Sequence, residues 1–112
     1  MTPEKYQSIF IRDFYTCQKC GKPGTEIAHK IRQGKGSIKF IQNYIEYNIK
    51  LNFNEYNKVI SKKFIDEKII DHPFNLAVSC QKCNDYFNIF FNPVETEKLL
   101  ISILEDIKII GE

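Results

Sequence analysis

Apolar positions recur at helical spacing in several stretches of this chain and alternate in two short ones. Tyr6, Ile9, Phe10 and Phe14 share one helical face. Thr2, Pro3 and Glu4 before them supply a hydroxyl cap, a proline at the first helical position and an acid in the first turn. The pattern predicts a helix to about Phe14. Thr25–Ile31 alternates, with Ile27 and Ile31 on one side, and reads as a short strand. Gln33-Gly34-Lys35-Gly36 should then be a flexible basic loop. From Ser37 the period is helical again, through Phe40, Ile41, Tyr44 and Ile45. A second helix capped by Asn52 or Asn54 would carry Tyr56, Val59, Ile60 and Phe64. Pro73 ends this block, since proline disfavours helix just before it.

Phe74–Ser79 reads as an extended segment, and Asn84–Phe90 as a short helix. Asn92-Pro93-Val94-Glu95 is a capping box that opens a last helix to about Ile110, which Gly111 can end. Leu100, Ile103, Leu104, Ile107 and Ile110 form its stripe, widened by Leu99, Ile101 and Ile109. Such a stripe suits core packing, with a homodimer contact as the alternative.

The 112 residues form one domain. It divides into an N-terminal helix (1–15), a first cysteine pair and strand (16–36), a helical insertion (37–71), a second strand, cysteine pair and short helix (72–91), and a C-terminal helix (92–112). The apolar fraction of 43% allows a core, though a small one. No apolar run has the length of a membrane span. The formal net charge of +2 names no partner, but residues 1–36 are basic and 72–112 acidic. A basic face near the first cysteine pair would suit phosphates.

Two identical steps, Cys17-Gln-Lys-Cys20 and Cys80-Gln-Lys-Cys83, change the picture most. Each turn aims two thiolates at one point, and two such turns make the tetrahedral shell that Zn²⁺ prefers. Gly21 follows the first step, where a residue without Cβ is often needed. Two disulfides would require an oxidising compartment, and Met1–Tyr6 has no signal-peptide character, so a cytoplasmic setting is expected. A redox pair would not need a second identical step. Structural zinc is the leading reading, and its binding energy would offset the small core.

The ordered set Arg12–Gly21, Glu26–Ile31, His72–Leu76 and Cys80–Asn84 resembles the HNH endonuclease family, in the subgroup whose ββα-metal motif is braced by four zinc-binding cysteines. The resemblance implies a small α+β domain: a zinc-stabilised hairpin and helix with flanking helices and a helical insertion. It further implies a metal-dependent endonuclease acting on DNA phosphodiesters. His29 holds the position of the general base, and Asn75 that of the asparagine that holds the hairpin. Asn84 and Asn88 hold positions that address a catalytic ion such as Mg²⁺.

One departure is Ala28, which stands where the family commonly has a metal ligand; Glu26, Asp85 or His72 could take its place. Lys30, Arg32 and Lys35 are the natural phosphate contacts. Plainer roles stand beside these: His29 packing at a strand end, Asn84 capping a turn, Asn88 as a polar helix residue, His72 in a turn, and the lysines as solvated charges. Two other functions follow from them. One is a nuclease-derived zinc module that binds nucleic acid or protein without cutting. The other is an interaction domain using the last helix.

Overall fold

The computed structural model describes residues 1–89 and 92–110. It is an α+β arrangement of helix α1 (Pro3–Arg12), strand β1 (Glu26–His29), helices α2 (Lys35–Asn48), α3 (Phe53–Val59) and α4 (Lys62–Phe64), strand β2 (Leu76–Ser79) and helix α5 (Pro93–Asp106). Helix α4 runs directly into a π-helical turn, Ile65–Ile70. Two 3₁₀ turns, Pro73–Asn75 and Asn84–Phe87, bracket β2 and the second cysteine pair. No helix among the described residues is long and apolar enough to cross a membrane.

Local chemistry sets most helix starts. The side-chain oxygens of Thr2, Asn52 and Asn92 accept from the N–H groups of Lys5, Glu55 and Glu95, each satisfying a donor that the helix itself leaves open. The ends differ from the expected ones. Helix α1 stops at Arg12, because Phe14 and Tyr15 both take left-handed backbone (φ 56° and 55°). The Tyr15 N–H returns to the Phe10 carbonyl at 2.8 Å, and the Tyr15 ring stacks on Phe10. This reversal turns the chain into the first cysteine step and leaves Phe14 84% exposed, off the apolar face where the periodicity put it. Helix α2 begins at Lys35 rather than after Ser37, since Gly34 (φ 134°) adopts a cap conformation open to glycine. Lys35 and Gly36 are therefore helical, not loop. Pro73, Phe74 and Asn75 form a tight turn, so the second strand is only Leu76–Ser79. Helix α5 ends at Asp106, where left-handed Lys108 (φ 63°) folds the Ile109 and Ile110 amides back onto the Leu104 carbonyl. Gly111, the expected terminator, and Phe90, the expected end of the short helix, lie outside the described residues.

The strands pair antiparallel, with Glu26 opposite Ser79 and His29 opposite Leu76. Ile27, Leu76 and Val78 pack on Ile9 of α1, while Ala28 and Ala77 face Cys17 and Phe87 on the other side. The main core is an isoleucine cluster: Ile31, Ile38, Ile41, Ile45, Ile65, Ile69 and Ile70 with Leu100, Ile103 and Leu104. Leu99, Ile107, Ile109 and Ile110 pack against it, so the wide stripe of α5 is largely taken up within the chain.

Among the described residues no strand lies beside the outer edge of β2, yet its polar groups are met. Arg12 Nη2 donates to the Leu76 carbonyl, the Val78 N–H donates to Asp13 Oδ2 at 2.9 Å, and the Gln18 N–H donates to the Val78 carbonyl. Asp13 also accepts both prongs of the Arg12 fork. Burial alone would raise the Asp13 pKa, but the Arg12 and Val78 hydrogen bonds outweigh it and hold the carboxyl below its ordinary value. A lowered native pKa stabilises the fold above the ordinary carboxyl value, and that share disappears as pH falls through the lowered one. Asp13→Ala should cost about 2 kcal/mol at neutral pH, the range of a hydrogen bond to a charged group. In urea titrations the gap from wild type should narrow in acid.

Candidate active site beside a four-cysteine centre

Each cysteine step folds as a tight turn. In the first, the Gly21 N–H donates to the Cys17 carbonyl at 2.9 Å with Gly21 at φ 77°, a conformation that a side chain would strain. In the second, the Cys83 N–H donates to the Cys80 carbonyl. Gly24 lets the first turn lie on β2, because a Cβ there would come within 2.2 Å of Val78 Cγ1. The result brings Cys17, Cys20, Cys80 and Cys83 together with ligand sulfurs all within 4.8 Å of one another. All four are free cysteines, and Sγ of Cys20 and Cys80 are 3.7 Å apart. A tetrahedral zinc–thiolate site has sulfurs about 3.8 Å apart, so the donor set could hold a metal such as zinc.

The backbone already favours charge there. Burial pushes the Cys17 thiol up, but the N–H groups of Cys20, Cys80 and Lys19 reverse this and hold it at about 6. Cys83 is pushed up to about 12, first by its hydrogen bond with Cys80 and then by burial.

His29 ends β1 in a half-buried position. Its Nε2 lies 2.9 Å from Asp71 Oδ1. An ionised carboxylate can only accept, so Nε2 carries the hydrogen; in the neutral imidazole Nδ1 then keeps the lone pair. Asp71 comes from the end of the helical insertion. The π-helical turn delivers it: its own N–H donates to Asp66, five residues back, at 3.0 Å. The widened turn leads into the residue whose carboxylate meets the imidazole, and π turns are frequent at functional sites. The sequence reading assigned no chemistry to this block, and only the fold reveals the pair, because the two residues are distant in the chain.

Asn75 is fully buried and holds three strands of backbone together. Its Oδ1 accepts from the Ile31 N–H at 2.7 Å. Its Nδ2 donates to the Ile31 carbonyl at 3.0 Å and the Ile70 carbonyl at 2.7 Å. Its own carbonyl accepts from Lys30. Asn75 thus clamps the exit of the His29 strand to the turn that carries Asp71.

His29 also lines a polar cleft of about 620 Å³, together with Arg32, Asn84, Asp85 and Asn88 among others. The two asparagines do not reach it from the one short helix expected over 84–90. The 3₁₀ turn ends at Phe87, and Asn88 follows in extended backbone. Asn84 donates through Nδ2 to Glu26 Oε1 at 2.9 Å and to the Ser79 hydroxyl at 3.2 Å. Of the three side chains considered as replacements for a ligand at Ala28, Glu26 is thus engaged by Asn84. His72 is turned away, with Nε2 2.8 Å from Asp106 Oδ2 and Nδ1 accepting from the Phe74 N–H. Asp85 lines the cleft. Ala28 itself is buried against Ala77 and Phe87. Among the described residues, the four cysteines are the one group of three or more His, Cys, Asp or Glu side chains close enough to share an ion.

The three expected phosphate contacts do not form one set. Arg32 lines the His29 cleft, Lys35 is exposed in the first turn of α2, and Lys30 opens into a different groove with Lys19 and Lys98. No family model matches the chain, and no curated protein or solved structure gives a significant match.

Proposed function

We propose that this chain is a zinc-braced, metal-dependent endonuclease of the HNH type that hydrolyses phosphodiester bonds in DNA. The observation that carries this is the His29–Asp71 pair at the wall of a polar cleft. A base held by a carboxylate on one nitrogen, with its other nitrogen keeping the lone pair, is the arrangement that activates a nucleophile. In this reading His29 Nδ1 takes the proton of a water as its oxygen attacks phosphorus. The bond from phosphorus to the leaving oxygen then breaks, and that oxygen takes up a proton. Arg32 offsets charge on the phosphate oxygens. Asp71 fixes the imidazole tautomer. Asn75 positions His29 through the backbone and touches no substrate.

The Asp85 carboxylate with the amide oxygens of Asn84 and Asn88 would hold a hard cation such as Mg²⁺, which when bound supplies positive charge at the phosphate. Cys17, Cys20, Cys80 and Cys83 would hold structural Zn²⁺.

The test is nicking of supercoiled plasmid by zinc-loaded protein with Mg²⁺, Mn²⁺ or Ni²⁺ added in turn. His29→Ala should lower the metal-dependent rate at least about 100-fold, the lower bound for losing a general base. Asp71→Asn should lower it less, since the base remains. Equal nicking by wild type and His29→Ala would remove His29 from the mechanism. A second reading is favoured by Ala28, whose buried methyl supplies no ligand: a module that binds nucleic acid or protein without cutting. A folded wild type that binds DNA or RNA but cuts neither would establish that reading instead.

A further inference from the structure

Lys30 is half-buried, and among the described residues its ammonium has no hydrogen-bond or ion-pair partner. Burial is the first cause that lowers its pKa, and Arg12 and Lys19 lower it further, while Asp13 opposes. Asp13 already accepts the Arg12 fork and the Val78 N–H, so its charge is shared with those donors. A half-buried cation facing other cations is unfavourable until an anion arrives.

The groove it faces is large enough for one. About 510 Å³ opens between the first cysteine turn and α5, bordered by Lys19, Lys30, Lys98 and Glu95 over a floor that includes Phe87 and Leu99. Lys19 Nζ lies 5.3 Å from the centre of the Phe87 ring. An adjoining groove shares Lys30 and Leu99 and extends past Arg12 and Asp13. Arg12 and Asp13 cancel, leaving three lysines against one glutamate. Segment 84–89 separates this groove from the His29 cleft: Asn84, Asp85 and Asn88 line the cleft, whereas Phe87 and Ile89 line the groove.

We propose that this groove holds phosphate groups of a nucleic-acid strand away from the bond being cut, a subsite of the function proposed above and resting on its nucleic-acid substrate. Lys19, Lys30 and Lys98 supply the charge. The apolar floor excludes water from the contact and so strengthens it. The groove would fix where the strand lies while the cleft acts on a bond on the far side of segment 84–89.

Each phosphate neutralised by a lysine releases bound counterions, so the salt dependence of binding counts such contacts, at about 0.9 in log–log slope per contact on duplex DNA. Binding of a short fluorescent DNA duplex would be followed by anisotropy across a salt series without added divalent ion, in a His29→Ala background that cannot cut. Lys19→Gln/Lys30→Gln/Lys98→Gln should reduce the slope by about 2 to 3. Lys39→Gln/Lys50→Gln/Lys63→Gln, at exposed positions elsewhere, should leave it nearly unchanged. Should the triple groove variant fail to fold, Lys98→Glu, exposed on α5, should still reduce the slope by about 1.

An unchanged slope in the groove variant, an equal fall in both triples, or no binding by the parent protein would overturn the proposal. Plasmid nicking with a slope indifferent to the groove would remove the groove and leave the His29 assignment standing. A groove-dependent slope in a protein that does not nick would keep the groove and remove the cleavage reading.

Discussion

Removing metal from the four cysteines should unfold the hairpin end of this domain. The connections around them are few and short: two four-residue strands, a 3₁₀ turn after Cys83, and small clusters built on Ile9, Ile27, Leu76 and Val78 and on Cys17, Ala28, Ala77 and Phe87. The two cysteine steps come from opposite ends of the hairpin unit, and without a cation their sulfurs would face one another with like charge or retained protons. Structural zinc contributes about 10–16 kcal/mol of apparent binding energy in zinc-finger peptides at neutral pH. The total stability of a domain is about 5–15 kcal/mol. A strong chelator should therefore abolish cooperative unfolding of the hairpin end in circular dichroism and proton NMR, and zinc should restore it. Cys17→Ser should act like the chelator, since Cys17 is the most buried ligand of the four. Acid should act in the same direction, because protons compete with the metal for the thiolates. A chelated protein with an unchanged amide spectrum would mean that the hydrophobic clusters suffice and the cysteines are not a folding centre.

The pieces legible in the sequence are those whose cause lies within a few residues. Caps at Thr2, Asn52 and Asn92 are local hydrogen bonds; Thr2 and Asn92 cap where the residue types placed them, and Asn52 is one of the two candidates at its helix. The cysteine steps are also local turns, and Gly21 takes the positive φ expected of it. The alternating pattern over Thr25–Ile31 found the first strand but overran it: the strand is Glu26–His29, with Ile27 against α1, while Ile31 lies beyond its end in the main core. What failed was the judgement of where a periodic run stops. Phe14 continues the apolar spacing of α1, but two left-handed residues break the helix first, and nothing in the side chains of Phe14 or Tyr15 announces that conformation. The π turn is equally silent, since Ile65, Ile69 and Ile70 satisfy an ordinary helical stripe.

The candidate site shows the same division more sharply. His29 and Asn75 could be named from their order relative to the cysteines, but the partner of His29 could not. Asp71 sits at the end of a block that looks like core filler, and its carboxylate meets the imidazole just after a widened turn. Asp13 is hidden for a related reason. It lies four residues before the first cysteine step, with nothing in its neighbours to mark a structural role, yet it completes the edge of β2. Lys30 and Arg32 are two apart in a short segment and were grouped as one contact set. The chain places them in different openings, because Ile31 between them is wholly buried in the main core and the Lys30 carbonyl is tied to Ile89.

Asn75→Ala should be the most damaging single substitution outside the cysteines. The side chain is 0% exposed and satisfies the Ile31 N–H, the Ile31 carbonyl and the Ile70 carbonyl. Alanine would leave all three buried without a partner, and each such group costs about 1–3 kcal/mol. Relaxation and water entry will recover part of this, so a loss of about 4 kcal/mol is expected, measured by urea unfolding of the metal-loaded protein. Asn75→Asp separates the donor role from the packing role, since it keeps the shape and the acceptor facing Ile31. Its second oxygen would face the Ile31 and Ile70 carbonyls, an arrangement that disfavours the ionised form and raises the new carboxyl pKa. A raised native pKa means that its stability relative to wild type improves as pH falls below that value, opposite in sign to the Asp13 contribution. The same two variants should loosen the His29–Asp71 pair, because Asn75 holds both the strand after His29 and the carbonyl just before Asp71. Loss of hydrolysis at temperatures where the variants remain folded would identify Asn75 as a positioning residue. Full activity in folded Asn75→Ala would show that the pair is held without the clamp.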